Sequence, residues 1–132
     1  MTGLWSGTLQ QSSRDANGAL QAVADRVPET ETVMVIGTDG IPIDKLAPRP
    51  VADIDTVAAE HTTLLRASLS TSTDTGLGGL RELTMVTERM TTLLVAITPE
   101  YFLFAALSPG AIVGRARFAL RLAGLSLREE FE

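Results

Sequence analysis

Residues 90–107, MTTLLVAITPEYFLFAAL, form the stretch that decides the fold. Two apolar runs of strand length lie on either side of Pro99-Glu100, a pattern that predicts an antiparallel hairpin. The second run, residues 101–107, has no polar side, because the side chains of a strand alternate between its faces and both alternating sets are apolar here. A strand that is apolar on both faces must be covered on both faces. We therefore expect further strands beside this hairpin and helices above and below it.

The composition is that of an ordinary globular protein, with 45% hydrophobic and 20% charged residues. A length of 132 residues suffices for one hydrophobic core, so we expect a single domain over residues 1–132 with its core at about residues 20–130. The formal net charge of −5 argues against a nucleic-acid-binding surface, which needs clustered basic residues. No run approaches the roughly 20 apolar residues of a membrane span, and the N-terminus lacks a signal-peptide pattern. We expect a cytoplasmic protein without membrane insertion.

The sequence contains few side chains that could support catalysis or bind a metal ion. The chain has no cysteine, and His61 is its only histidine, so one chain cannot assemble a Ser-His-Asp triad or a multi-histidine metal site. The glycine-rich residues 76–79 lack the Lys-Ser/Thr that follows in a phosphate-binding loop. We therefore expect no catalytic residue, no metal and no cofactor. His61 lies on or beside an apolar helical stripe. It is either a core or interface residue with satisfied hydrogen bonds or, at a dimer axis, a group whose charge makes association depend on pH.

The N-terminal half predicts a strand pair between two helices. A helix is expected from Leu4 to about Val27, although Asn17-Gly18 weakens its middle. Residues 32–37 form a short apolar strand, and the Asp-Gly after it is typical of a hairpin turn. The next strand, residues 41–46, belongs at a sheet edge, because Pro42 cannot donate a ladder hydrogen bond.

The helix predicted from Asp53 to about Thr73 has two distinct faces. Asp53 and Asp55 fall in its first turn, where carboxylates complement a helix N-terminus. Its apolar stripe consists of Ile54, Val57, Ala58, His61, Leu64, Leu65 and Leu69. A second face repeats small residues every three or four positions, namely Ala59, Thr63, Ala67 and Ser70. That face is either an ordinary solvent-exposed surface or a contact for a second helix, since small side chains let two backbones approach.

The C-terminal half predicts three strands and a helix. Residues 80–88 alternate between apolar and polar side chains, with Leu83 and Met85 on one face, which indicates a half-exposed strand. This strand follows a long loop and pairs with one sequence neighbour, so we expect it at the second sheet edge, where no proline prevents symmetric dimerisation. A last helix should run from about Ala111 to Glu130. Its expected core stripe is Ile112, Ala116, Ala119, Leu120, Ala123 and Leu127.

The predicted order is α-β-β-α-β-β-β-α, an α+β sandwich with a five-stranded antiparallel sheet and helices on both faces. This order, with VMVIGTDGIPI at residues 33–43, resembles the Roadblock/LC7 family and, within it, the bacterial MglB-like regulators of Ras-like GTPases. The resemblance implies the Roadblock/LC7-type, profilin-like fold. It also implies a homodimer in which the third strands pair across a two-fold axis and the second helices lie side by side. The residues that we place in this interface are Ala59, Thr63, Ala67, Ser70, Leu80, Leu83, Met85 and Thr87.

The resemblance further implies a non-catalytic function. Family members bind a Ras-like small GTPase and modulate its nucleotide cycle, or serve as a dimeric platform in a larger complex. No fixed motif marks the GTPase contact, and the exposed candidates on the second helix are Asp55, Glu60, Thr62 and Arg66. The resemblance favours activation without an arginine finger, although Arg66, Arg81 and Arg89 are the arginines expected near this surface. A structural adaptor and a small-ligand sensor are the alternative functions, and a tetramer is the alternative to the dimer.

Overall fold

The computed structural model describes residues 16–131. Within them lie three helices and five strands, and the predicted fold class is confirmed. The elements are α1 (residues 16–26), β1 (Thr30–Gly37), β2 (Pro42–Leu46), α2 (Ile54–Asp74), β3 (Glu82–Val86), β4 (Thr91–Ala96), β5 (Tyr101–Leu107) and α3 (Val113–Phe131). Residues 4–15 of the first predicted helix lie outside the described residues.

The five strands form one sheet in the order β2-β1-β5-β4-β3, and every neighbouring pair is antiparallel. β5 lies in the centre, with Ala105 opposite Val33 on one side and Leu93 on the other. The two predicted edges are confirmed, because β2, which begins at Pro42, and β3 are the outermost strands. The sheet therefore presents β2 and β3 as its two open edges in the described part of the chain.

Each face of the sheet carries its own hydrophobic cluster. The α1/α3 side holds Leu103 and Ala105 of β5, and the α2 side holds Phe102 and Phe104. The predicted alternation of β5 is therefore confirmed. The first cluster is covered by Leu20 and Val23 of α1, by Val27 directly after it, and by α3 residues that include Ala116, Leu120 and Leu127. The second is covered by α2 through Ile54, Ala58 and Leu65, with Val57 and Leu69 at its margin.

The start of α2 differs from the prediction. Asp53 precedes the helix as its N-cap residue, has a φ of 60° in the left-handed region, and makes no side-chain hydrogen bond to the helix. The prediction that it sits in the first turn is therefore wrong, whereas Asp55 is there. Asp is one of the few residues other than glycine that visits this backbone region at modest cost.

The start of α3 also differs from the prediction, because the helix begins at Val113. Ile112 is expected in the core stripe but is 56% exposed. Its carbonyl accepts the backbone N–H groups of Arg115 and Ala116, so it flanks the helix and its side chain lies outside the buried stripe. Within residues 16–131 no helix has both the length and the apolar character of a membrane span.

Candidate functional site

The β3 edge is a strand with one side paired. Residues 82–86 pair with β4 in an antiparallel register that sets Thr84 opposite Leu93. Leu83 and the preceding Leu80 pack against the cluster under α2, whereas Met85 and Val86 are 38% and 68% exposed. An edge with unpaired backbone groups and exposed apolar side chains is suited to pairing with another strand.

An ion-pair cluster joins this edge to α3. The Oε1 atom of Glu82 lies 2.8 Å from Nε of Arg117 and 3.2 Å from Nη2 of Arg121. Because strand side chains alternate, Glu82 faces α3 while its neighbour Leu83 faces α2. The predicted two-sided character of β3 is therefore confirmed, and its polar face is tied to the C-terminal helix.

The two flanks of α2 face different parts of the sheet. The carboxylate of Asp55 accepts a hydrogen bond from Nζ of Lys45 at 3.1 Å, which identifies one flank as the side of β2. His61 contacts Thr92 of β4, which identifies the other flank as the side of β4 and β3. Leu64 follows His61 by three residues, so it lies on the second flank. It is half-buried and does not belong to the cluster under α2, in contrast to its predicted place in the apolar stripe.

The small-residue face of α2 consists of Ala59, Thr63, Ala67 and Ser70, and it lies on the solvent side of the helix. Ser70 donates its hydroxyl to Asp74 at 3.2 Å, and Thr71 donates to the carbonyl of Ala67 at 2.9 Å, so the hydroxyl groups are directed along the helix itself. None of these four side chains is larger than that of threonine. The face therefore offers a flat surface for a closely packed helix.

The four candidate GTPase-contacting residues do not form one cluster. Asp55 and Arg66 are exposed on the β2-side flank but lie about three helical turns apart. Glu60 is exposed on the opposite flank. Thr62 is 2% exposed, so the prediction that it is exposed is wrong. Its hydroxyl donates to the carbonyl of Ala58 at 3.0 Å. The side chain therefore needs no hydrogen bond to water and can be buried.

His61 faces the sheet. Its Nδ1 lies 2.8 Å from the carbonyl oxygen of Val57, and its Nε2 lies 2.7 Å from Oγ1 of Thr92. Since a carbonyl can only accept, Nδ1 carries the proton, and in the neutral ring Nε2 accepts the Thr92 hydroxyl. The ring also packs edge-on against Phe104 with centroids 5.1 Å apart. His61 thus joins α2 to β4 on the β3-side flank of the helix. Its pH-dependent role at a dimer axis stays a prediction.

Two surface residues beside α2 escaped the sequence reasoning. Ile41, directly before β2, is 60% exposed, and Ile43, within β2, is 47% exposed. Ile43 shares its face with Lys45, whose ammonium binds Asp55, so both lie on the α2 side of the sheet. The available signal was the alternation of residues 41–46, which leaves isoleucines on a face that α2 only partly covers.

Three arginines are predicted to lie near the interaction surface. Arg66 of α2, Arg81 before β3 and Arg89 in the turn between β3 and β4 are all exposed. They lie on three separate segments of the described chain.

Comparisons with known proteins agree with this architecture. A family model described as the Roadblock/LC7 domain matches residues 16–107. The solved Roadblock/LC7 domain from Streptomyces avermitilis is similar with a TM-score of 0.75 and 17% identity, over 86% of this chain and 94% of that chain. The gliding protein MglB from Thermus thermophilus is similar with a TM-score of 0.79 and 16% identity, over 89% of this chain and 89% of that chain. MglC from Myxococcus xanthus has a TM-score of 0.64 and 26% identity, over 88% of this chain and 98% of that chain. A search of curated proteins finds no match.

Proposed function

The chain belongs to the Roadblock/LC7 family, and we propose that it is a homodimeric, non-catalytic regulator that binds a Ras-like small GTPase in the cytoplasm and modulates its nucleotide cycle. Members of this family are generally non-catalytic regulators. The fold and the family together support a regulatory or adaptor role. The observation that carries the proposal is the combination of an open β3 edge with the adjoining flank of α2, where Leu64 lies outside the buried cluster.

The first part of the proposed dimer interface is the β3 edge. Pairing of β3 with its copy would satisfy the backbone groups of residues 82–86 and extend the sheet across a two-fold axis. Met85, at 38% exposure, would be covered in that arrangement. Thr87 closes the turn after β3 by donating its hydroxyl to the carbonyl of Met90 at 2.6 Å, so its side chain would lie at the end of the seam.

The second part of the proposed interface is α2. Its β3-side flank would approach the same flank of the second copy, with Leu64 and Ala67 towards the seam. Leu64 is the large apolar side chain on that flank without a place in the core, and a symmetric contact would bury it twice. Of the four α2 residues predicted for the interface, this packing brings Ala67 towards the seam and, unlike the prediction, leaves Ala59, Thr63 and Ser70 on the solvent side of the paired helices.

The proposed GTPase surface is the solvent side of the paired α2 helices with the adjoining β2 edge. Asp55 and Arg66 supply its charges, and Glu60 lies at its border with the seam. Ile41 and Ile43 supply exposed apolar area on the same side of the sheet. Mixed apolar and charged composition of this kind is typical of interfaces that form and dissociate.

An adaptor without effect on nucleotide turnover is the second candidate. It is favoured by the family membership, which supports a regulatory and an adaptor role alike. The sensor alternative has less support, because Phe102 and Phe104 are 0% exposed within the cluster under α2 and a packed core accounts for them.

The test is single-turnover GTP hydrolysis by a Ras-like GTPase from the same source, with and without this protein, together with binding in both nucleotide states. Binding that depends on GTP with faster hydrolysis supports a GTPase activator. Binding without a change in hydrolysis supports the adaptor. Absence of binding in both states, by a protein shown to be folded, contradicts the GTPase proposal for that partner.

A further inference from the structure

The solvent side of α3 carries an apolar ridge. Phe118, Leu122 and Leu125 are 56%, 36% and 64% exposed, and they recur at the spacing of one helical face. The buried stripe of the helix, which includes Ala116, Ala123 and Leu127, lies on the opposite side. Phe118 and Leu125 therefore occupy positions that an ordinary surface helix gives to charged residues.

Arginines border this ridge. Arg115 precedes Phe118 by one helical turn on one flank, and Arg121 and Arg128 lie on the other, all with exposed side chains. A groove of about 550 Å³ runs along that second flank towards β3, and its rim is formed by Arg81, Arg121 and Arg128 beside Leu125. Three acidic groups lie nearby: Glu82, which Arg117 and Arg121 bind, Glu129, which follows Leu125 by one helical turn, and Glu130 beside it.

We propose that this α3 ridge, Phe118, Leu122 and Leu125, is a docking surface for an acidic amphipathic helix of a partner protein. Two turns of apolar side chains on the incoming helix would cover the ridge, about 10 Å long. Its flanking carboxylates would reach the guanidinium groups of Arg81, Arg115 and Arg121. The arginine border gives the surface a local positive charge on a chain whose formal net charge is −5.

The same charges disfavour other occupants. A second copy meeting this face would set arginines opposite arginines, which costs free energy when they are desolvated. An anionic membrane is a broad surface that would meet Glu129 and Glu130 at the end of α3 together with the arginines. An acidic protein segment satisfies both the apolar ridge and its border.

This surface does not depend on the proposed GTPase binding. α3 covers the sheet face that carries Leu103, whereas α2 covers the face that carries Phe104. The two surfaces lie on opposite sides of the sheet, so one protein would bind two partners at the same time. Loss of either interaction can then be measured without the other.

The experiment titrates the full chain into a fluorescently labelled acidic peptide of about four helical turns, with leucines at helical spacing and glutamates on both flanks. We expect saturable binding that weakens about tenfold or more with Phe118→Ser or Leu125→Ser, the effect of removing one large apolar contact. Arg115→Gln combined with Arg121→Gln should weaken binding about fivefold and reduce its dependence on salt.

Matched controls isolate the ridge. Leu77→Ser removes a leucine that is 78% exposed in the loop before β3, and it should leave peptide binding unchanged. Arg49→Gln removes an exposed arginine in the connector before α2, with the same expectation. A peptide with lysine in place of every glutamate should bind at least about tenfold more weakly than the acidic peptide. Circular dichroism verifies that each variant is folded.

Several outcomes would overturn the proposal. One is the absence of saturable binding of the acidic peptide, and another is binding of the lysine peptide as tight as that of the acidic peptide. Tighter binding of phosphatidylserine vesicles than of the acidic peptide would also contradict it. A loss of self-association in Leu125→Ser, measured by light scattering, would assign the ridge to contacts between copies. Trp5 is the only tryptophan of the chain, so a change in its emission on Leu125→Ser without peptide would assign the ridge to the chain's own N-terminal segment.

Discussion

Gly124 of α3 and the carbonyl oxygen of Ala96 at the end of β4 are in such close approach that a Cβ at position 124 would lie 3.4 Å from that oxygen. Gly124 is buried, and α3 packs on β4 and β5 at this level. A side chain larger than a single methyl group at position 124 would therefore press on the backbone of β4.

Gly124→Val should destabilise the protein by about 1–3 kcal/mol, because the added methyl groups press on backbone that cannot rotate away. Gly114→Ala is the matched control, since nothing lies within 4 Å of a Cβ there. It should be neutral or stabilise by up to about 1 kcal/mol through helix propensity. Urea unfolding measures both. A Gly124→Val protein as stable as the parent would contradict the close packing.

Thr92→Val should cost about 1 kcal/mol of stability, because the Nε2 atom of His61 loses its hydroxyl donor in a half-buried place. Thr56→Val, at an exposed position of α2, should change stability by less than about 0.5 kcal/mol. Nitrogen chemical shifts of His61 supply an independent readout. The neutral ring should carry its proton on Nδ1, and a proton on Nε2 would contradict the assigned geometry.

The ion pairs of Glu82 should differ in strength. Arg117 is the closer partner, at 2.8 Å with a side chain 36% exposed, whereas Arg121 is at 3.2 Å and 61% exposed. Arg117→Gln should therefore destabilise more than Arg121→Gln, with neither exceeding about 1 kcal/mol because both pairs are screened by solvent. Urea unfolding at low and high salt measures the order, and a larger loss for Arg121→Gln would reverse it.

An activator without an arginine finger makes a kinetic prediction. If the proposed GTPase activation is observed, Arg66→Ala, Arg81→Ala and Arg89→Ala should each retain it within about tenfold, because a true finger contributes a factor of roughly 1,000 or more to hydrolysis. Single-turnover hydrolysis with each variant measures this, and a collapse to the intrinsic rate in any one of them would identify a finger.

The sheet was largely predictable from the sequence. Residues 101–107 are apolar at every position, and only a central strand covered on both faces satisfies such a run. Pro42 placed β2 at an edge because a missing N–H cannot be compensated inside a sheet. The long loop before β3 placed it at the other edge. These features are local, so each could be read from a short stretch.

The helix surfaces were less predictable, because hydropathy does not reveal how a side chain satisfies its polar atoms. Thr62 reads as polar but bonds to its own helix, so it is buried. Phe118 and Leu125 are large and apolar but lie on the solvent side of α3, since Ala116 and Ala119 already occupy the side facing the sheet. The predicted core stripe of α3 is confirmed at Ala116, Ala119, Leu120, Ala123 and Leu127, but the prediction did not account for the second apolar stripe on the solvent side.

The central claim is dimerisation through β3 and α2, and light scattering over a range of concentrations tests it most directly. Met85→Lys places a positive charge at the β3 edge. In the proposed dimer, the lysines of the two copies would both lie at the paired β3 strands and repel each other. Leu77→Lys, in the exposed loop before β3, is the control. We predict a dimer for the parent and for Leu77→Lys, and a folded monomer for Met85→Lys. A monomeric parent, or a Met85→Lys protein that dimerises as strongly as the parent, would contradict the proposed interface.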